Sequence, residues 1–294
     1  MPRAALRPYQ RPAAEQELTI KRLLTGAVAL PLLILFILKA SIFVFACFVS
    51  LVALLGLGEF YRMALPARTA IGGAAALSGA LSLFLFARPE ALQYFMPLSG
   101  GRGVPLVLTV LFLAVAIYFL FSIRDIRQSA AEAALLWAGF AYVPLLLSHL
   151  VLLRALPDGI QWVFLLLLIV MSGDTAAFYV GSSLGRRKLY PQVSPNKSIE
   201  GAVGGLCGSL LGTFIAKFTF LPALTVVDCV VSALVVGALG QIGDLFESLL
   251  KRSFGVKDSG VIIPGHGGIL DRLDSILFAA PALYYYAYLV VAAR

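Results

Sequence analysis

The chain has 294 residues, 60% of them apolar and 13% charged, with a formal net charge of +8 at pH 7 and a mean hydropathy of +0.94. Soluble domains carry roughly 25% charged residues, and uncharged apolar runs of about 18 or more mark membrane spans. These figures exclude a soluble globular protein. They exclude an open sheet in lipid as well, whose backbone groups would stay unsatisfied, and the continuous rather than alternating runs exclude a transmembrane barrel. An all-α, polytopic integral membrane protein remains.

Residues 1–22 form a basic, proline-punctuated segment too polar for a bilayer. No small-residue cleavage site follows it, so the next apolar stretch reads as a retained span rather than a signal peptide. About nine transmembrane helices are expected, at 23–38, 41–58, 69–87, 104–121, 131–153, 160–180, 201–222, 226–249 and 272–292. The first is the weakest, because it is shorter than the roughly 20 residues a span needs. With the N-terminus in the cytoplasm, this arrangement puts 17 of the 23 Lys and Arg on the cytoplasmic side and six on the other. Such an imbalance is what the positive-inside rule describes. It accounts for the net charge without nucleic acid, and a basic rim attracts anionic headgroups and anionic substrates alike. The chain lacks an organelle transit segment, which points to the inner (cytoplasmic) membrane of a bacterium. Cys47, Cys207 and Cys229 stand singly in apolar runs with no metal-ligand spacing. They read as buried packing residues.

The two halves differ. Spans in 23–155 hold almost no ionisable groups and read as scaffold. From 156 to 294 acids enter the spans, glycines multiply, and polar cytoplasmic loops occur at 181–200 and 250–271. Asp174 lies inside WVFLLLLIVMSGDTAAFYVG, where an acid costs about 2.5–3.5 kcal/mol on insertion scales; a cation, a basic partner or a polar cavity must offset it. Asp244 and Glu247 share a helical face in GQIGDLFESLLKR, with Ser248 beside Asp244 at i+4. Glu247 can also reach Lys251 one turn on, as a plain surface ion pair. The following loop, KRSFGVKDSGVIIPGHGGILDRLDS, places Gly265, Gly267 and Gly268 before a helix expected to begin near Asp271. Glycine permits close backbone approach, and a helix start offers unpaired N–H groups to phosphate. Asp271 and Asp274 again share one face, and capping alone explains only one acid of the four. His266 lies in this polar loop, where it is less suited to core filling than His149 in the fifth span. In the earlier loop, a Ser-Pro-Asn-Lys-Ser turn puts Lys197 and Ser198 at a second helix start, with Glu200 placed for a capping box.

Carboxylates beside Lys251, Arg252, Lys257 and Arg272 suit one chemistry. Mg²⁺ takes oxygen ligands, often one or two carboxylates plus substrate phosphates, and basic residues neutralise the phosphate charge that remains. Phosphoryl or nucleotidyl transfer is the class expected. A secondary transporter also sets acids beside broken helices, but nearer mid-membrane and without the Gly/His/basic cluster at the rim. A CDP-alcohol phosphotransferase would carry DGxxAR…GxxxDxxxD, which this sequence lacks.

Ser248-Leu-Leu-Lys251-Arg252-x₄-Lys257-Asp258 through Pro264-x-His266-Gly267-Gly268-x-x-Asp271-Arg272-x-Asp274 runs unbroken over 27 residues. It resembles the signature of the phosphatidate cytidylyltransferases, or CDP-diacylglycerol synthases. Gly243-Asp244-Leu-x-Glu247-Ser248 and Ser194-Pro195-x-Lys197-x-x-Glu200-Gly201 fit the same pattern, although Asn196 stands where lysine is expected. The resemblance extends from about Asp174 to the C-terminus. It implies that CTP and phosphatidate react to give CDP-diacylglycerol and pyrophosphate, in a polar cavity at cytoplasmic depth. It further implies divalent metal, Mg²⁺ in one or two ions, at Asp244 and Asp271, with Asp274 close by. Lys251, Arg252, Lys257, Asp258, His266 and Arg272 then fall to the reaction and its phosphates, while Asp174, Lys197, Ser198, Glu200, Ser248, Gly267 and Gly268 fall to substrate binding. CTP, phosphatidate and membrane lipids are the expected partners, with a homodimer as an open expectation. A cytidylyltransferase for another lipid phosphate would share the same headgroup chemistry.

Overall fold

A computed structural model of the chain describes residues 30–87, 103–122, 125–262 and 267–291. Among these, nine helices follow one another: α1 (Leu30–Lys39), α2 (Ile42–Ala64), α3 (Thr69–Ala87), α4 (Gly103–Phe121), α5 (Ile126–Ala155), α6 (Gly159–Leu184), α7 (Ile199–Thr219), α8 (Val226–Ser253) and α9 (Leu270–Val291). Six of them, α2 and α5 to α9, are long and apolar enough to cross a bilayer; α1, α3 and α4 contribute shorter apolar stretches. Pro144 removes one backbone donor in α5, and the helix accommodates it as a π-turn at Ala141–Leu145.

Several boundaries differ from expectation: α2 runs to Ala64 rather than 58, α5 begins at Ile126 rather than 131, and both polar segments change. The 181–200 segment is not a plain loop. α6 runs on to Leu184, and a short antiparallel hairpin follows, β1 (Lys188–Tyr190) against β2 (Ser194–Ser198), with Lys188 opposite Ser198 and Tyr190 opposite Ser194. The Ser-Pro-Asn-Lys-Ser turn is therefore β2, and its proline sits in a two-stranded sheet where each strand has a free edge. In the second segment α8 extends to Ser253, so the polar connection begins at Phe254 and ends where α9 starts at Leu270.

The core lies where α2, α5, α6 and α9 meet, around Phe60, Leu147, Leu165, Ile169 and Leu277, all buried. α6 and α7 approach most closely. Gly201, Gly205, Gly208 and Gly212 recur at three- and four-residue spacing on α7, and small residues at such positions let helix backbones meet. A Cβ at Gly208 would lie 2.5 Å from the Ser172 carbonyl oxygen and from the Ala176 Cβ. Ser209 on the same helix donates to the Ile169 carbonyl at 3.0 Å. Arg68, expected as a cytoplasmic surface charge, is instead buried in the turn before α3. Its guanidinium pairs with Glu132 at 2.6 Å and donates to the Ser122 carbonyl at 3.1 Å, tying α4 and α5 to that turn. Cys229 is buried as expected, but Cys47 and Cys207 are exposed on outward helix faces; an apolar neighbourhood in sequence does not distinguish core from lipid-facing side.

Gly208→Val should separate α6 from α7 at an overpacking cost of about 1–3 kcal/mol. A lowered thermal unfolding midpoint in detergent is the expected result, and an unchanged midpoint would contradict the close packing.

Candidate active site

The C-terminal turns of α2, α6 and α8 and the first turns of α7 and α9 converge at one end of the bundle. Positions 244, 247, 248 and 251 recur at i, i+3, i+4 and i+7 on α8, so one face of its last turns carries Asp244, Glu247, Ser248 and Lys251. Lys251 also suits the negative end of the helix dipole. Its ammonium lies between two carboxylates, pairing with Glu247 on its own helix and with Asp271 Oδ1 on α9 at 2.7 Å. Glu247 is only 1% exposed, so the pair expected on the surface is an internal one.

Asp271 is the most heavily bonded acid here. Besides Lys251 it accepts from the Gly268 N–H at 2.7 Å, the Ser259 N–H at 3.0 Å and the Ser259 hydroxyl at 2.9 Å. Gly267 adopts φ +83°, a left-handed conformation that side chains resist, and this turns the chain into α9. The α9 start does not keep its N–H groups free for phosphate, as the sequence suggested. Gly268 N–H serves Asp271, and the Ile269 and Leu270 N–H groups donate to Glu59 of α2 at 3.1 and 2.9 Å.

Lys197, at the end of β2, pairs with Asp244 Oδ2 at 2.6 Å, both side chains being about one-third exposed. Asp244 had no basic partner within its own helix, and the hairpin supplies one. Ser198 caps α7 by accepting from the Gly201 N–H at 3.1 Å. Glu200 does not complete a capping box. Its carboxylate accepts from the Arg186 and Arg187 N–H groups at 3.1–3.2 Å and so pins the far arm of the hairpin. Asp174 is exposed towards a crevice lined by Gly173, Ser209, Gly240, Gln241 and Ser275. Asp174, Asp244 and Asp274 lie near enough to act on one another electrostatically, and Asp274 accepts from the Ser275 N–H at 2.7 Å.

Arg252, Lys257, Asp258 and Arg272 stand exposed around this end, with Arg252 donating to the Val256 carbonyl at 3.2 Å. Ser248 is half-buried. His266 lies outside the described residues. Sequence reasoning missed Glu59, which is 1% exposed in the half assigned to scaffold. Its visible signal was an acid immediately after the second expected span, 41–58, which the helix extends past to Ala64.

The model of the cytidylyltransferase family matches residues 20–290. The chain belongs to that family. It is 32% identical over 266 residues to a phosphatidate cytidylyltransferase of Bacillus subtilis (strain 168), covering 90% of this chain and 96% of that one. A phosphatidate cytidylyltransferase of Staphylococcus haemolyticus (strain JCSC1435) is 35% identical over 265 residues, and one of Staphylococcus epidermidis (strain ATCC 12228 / FDA PCI 1200) is 34% identical over 262. Each of these alignments spans 89% of this chain and 96% of the relative. Because the match runs from residue 20, the first-half helices belong to the family's architecture together with the polar end.

The two lysines of this cytidylyltransferase-family protein should differ in weight. Removing one partner of a buried ion pair costs about 3–5 kcal/mol and a fully exposed pair is worth about 1 kcal/mol or less, so the one-third-exposed Lys197–Asp244 pair falls below the buried Lys251 contacts. Lys251→Met should therefore lower the unfolding midpoint in detergent far more than Lys197→Met. Equal shifts would contradict the burial described for Glu247 and Lys251.

Proposed function

We propose that this protein transfers the CMP moiety of CTP to phosphatidate, giving CDP-diacylglycerol and pyrophosphate in phospholipid biosynthesis. The observation that carries the reading is the carboxylate–lysine end of α8 and α9, which lies within the 27-residue signature. Relatives that share about a third of the chain's residues bear the name of that activity.

The chemistry needs little acid–base help. A phosphate monoester has a second pKa of about 6, so at neutral pH the phosphatidate headgroup is mostly a dianion and already nucleophilic. Its oxygen attacks the α-phosphorus of CTP, the bond to the β-phosphate oxygen breaks, and the electron pair leaves with pyrophosphate. The obstacle is repulsion between two polyanions. Lys251 and Lys197 hold positive charge against the anions, while Arg252, Lys257 and Arg272 line the exposed approach and offset the charge that builds on the leaving pyrophosphate. His266 contacts phosphate or pyrophosphate in this scheme. The exposure of Asp174 towards the crevice and the position of Ser248 beside Asp244 suit substrate contact rather than packing.

Among the described residues no three His, Cys, Asp or Glu side chains form a metal cage by themselves. Mg²⁺ does not require one, since one or two carboxylates plus substrate phosphates suffice. Among the described residues Asp244 has only Oδ2 engaged, by Lys197 at 2.6 Å, whereas Asp271 accepts from Lys251 on Oδ1 and from Gly268 and Ser259 on Oδ2, so it would have to exchange Lys251 for the metal. The donor set fits. Asp244 and Asp271 would hold Mg²⁺, which supplies charge neutralisation between the phosphates. Charge bias along the chain sets this end in the cytoplasm, the CTP-containing side of a bacterial inner membrane.

Purified protein in detergent, given phosphatidate, labelled CTP and Mg²⁺, should form CDP-lipid, and chelation should stop it. Asp271→Asn should lower turnover at least about 100-fold, the scale seen when one preorganised electrostatic contact is lost, while still inserting in the membrane. Product formation indifferent to chelation would end the metal assignment, and normal turnover in the variant would end the assignment of Asp271.

A further inference from the structure

Glu59 belongs to α2, some 200 residues from the signature, and its carboxylate is buried. A carboxylate removed from water is costly unless hydrogen-bonded. Among the described residues its donors come from the connection between α8 and α9: the Ile269 N–H on Oε1 at 3.1 Å, the Leu270 N–H on Oε2 at 2.9 Å and the Ser259 hydroxyl on Oε2 at 3.2 Å. Charge-assisted bonds of this kind are about twice as strong as neutral ones, and the α9 dipole adds to them.

The Ser259 hydroxyl lies between two acids, 3.2 Å from Glu59 and 2.9 Å from Asp271 Oδ2. With one proton to donate, it links the carboxylates and satisfies one at a time. A continuous chain of contacts thus runs from Glu59 through Ser259 and Asp271 to Lys251 and Glu247. Two glycines close around the first link. A Cβ at Gly268 would lie 2.5 Å from Glu59 Oε2, and one at Gly260 would lie 2.8 Å from the Glu59 carboxyl carbon. Neither glycine has positive φ; among the described glycines only Gly255 and Gly267 do. Backbone conformation therefore does not demand glycine at 260 or 268; the space taken by Glu59 does at 260, and that taken by Glu59 together with the Ser259 hydroxyl does at 268.

We infer that Glu59 is a positioning residue for the proposed reaction: it ties the Ser259 part of the α8–α9 connection to the start of α9 so that Ser259 and Asp271 keep their places. This inference rests on the cytidylyltransferase reading given above. Because Glu59 touches no reacting atom in this role, its loss affects turnover more than substrate binding. A misplacement of about 1 Å can cost about 100-fold in rate.

The experiment compares wild type, Glu59→Ala, Gly260→Ala and the double variant as full-length protein in detergent, with CTP and phosphatidate. Glu59→Ala should lower kcat about 100-fold with KM for CTP within about threefold of wild type. Gly260→Ala should also lower kcat, yet add nothing in the Glu59→Ala background, where its methyl has room. Wild-type kcat in Glu59→Ala, a raised KM with kcat intact, or independent multiplication of the two losses would overturn the inference. Should Glu59→Ala fail to insert, Glu59→Gln replaces it; it keeps the volume and one acceptor, and a kcat within twofold of wild type would likewise overturn the role. If wild type forms no CDP-lipid, the reaction itself is at fault, and trypsin cleavage after exposed Lys257 tests the anchoring alone. Cleavage should run about tenfold faster in Glu59→Ala, since proteolysis follows the population of the opened state; an unchanged rate overturns it.

Discussion

The ammonium of Lys251, held between Glu247 and Asp271, is the contact on which this end of the molecule depends. Two carboxylates brought together away from water repel one another and lose hydration. A single cation between them offsets both costs at once. The geometry follows from helix periodicity on one side, because Glu247 and Lys251 are one turn apart on α8. On the other side it follows from the turn at Gly267, which delivers Asp271 in the first turn of α9. Without that cation two largely buried acids would face one another unpaired where α8 meets α9.

The same economy governs the second pair. Lys197 meets Asp244 only because β2 ends directly at α7, and α7 is held tight against α6 by its glycine stripe. Glu200 fixes the other arm of the hairpin through backbone N–H groups, and Ser198 caps the helix between them. Packing deep between the helices thus determines where a one-third-exposed lysine stands at the rim. Asp244 and Asp271 each carry an ammonium partner, and Lys251 serves Glu247 as well.

Much of this was legible in the sequence because polar residues in apolar runs are expensive and stand out. Asp244, Asp271 and Asp274 were visible for that reason, and so was the division of the chain into helices. Burial was harder to read. Glu247 and Lys251 at i and i+4 look the same on a surface as in an interior, and nothing local shows that α9 covers them. Glu59 was missed because one acid near the end of a span resembles an ordinary rim charge. Its partners are backbone N–H groups some 210 positions away, and backbone groups leave no residue-type signature. The hairpin was hidden by Pro195, which reads as a turn, and by the shortness of both strands. The α9 start was misread as an open anion site because its donors are taken by side chains from distant segments.

Label tracing with CTP carrying isotope at either the α- or the γ-phosphate tests the central claim most directly. With phosphatidate and purified protein, α-label should pass into the lipid product while γ-label appears wholly in released pyrophosphate. Label from the γ-position entering lipid, or release of inorganic phosphate in place of pyrophosphate, would contradict CMP transfer and require another reaction at the same carboxylate–lysine site.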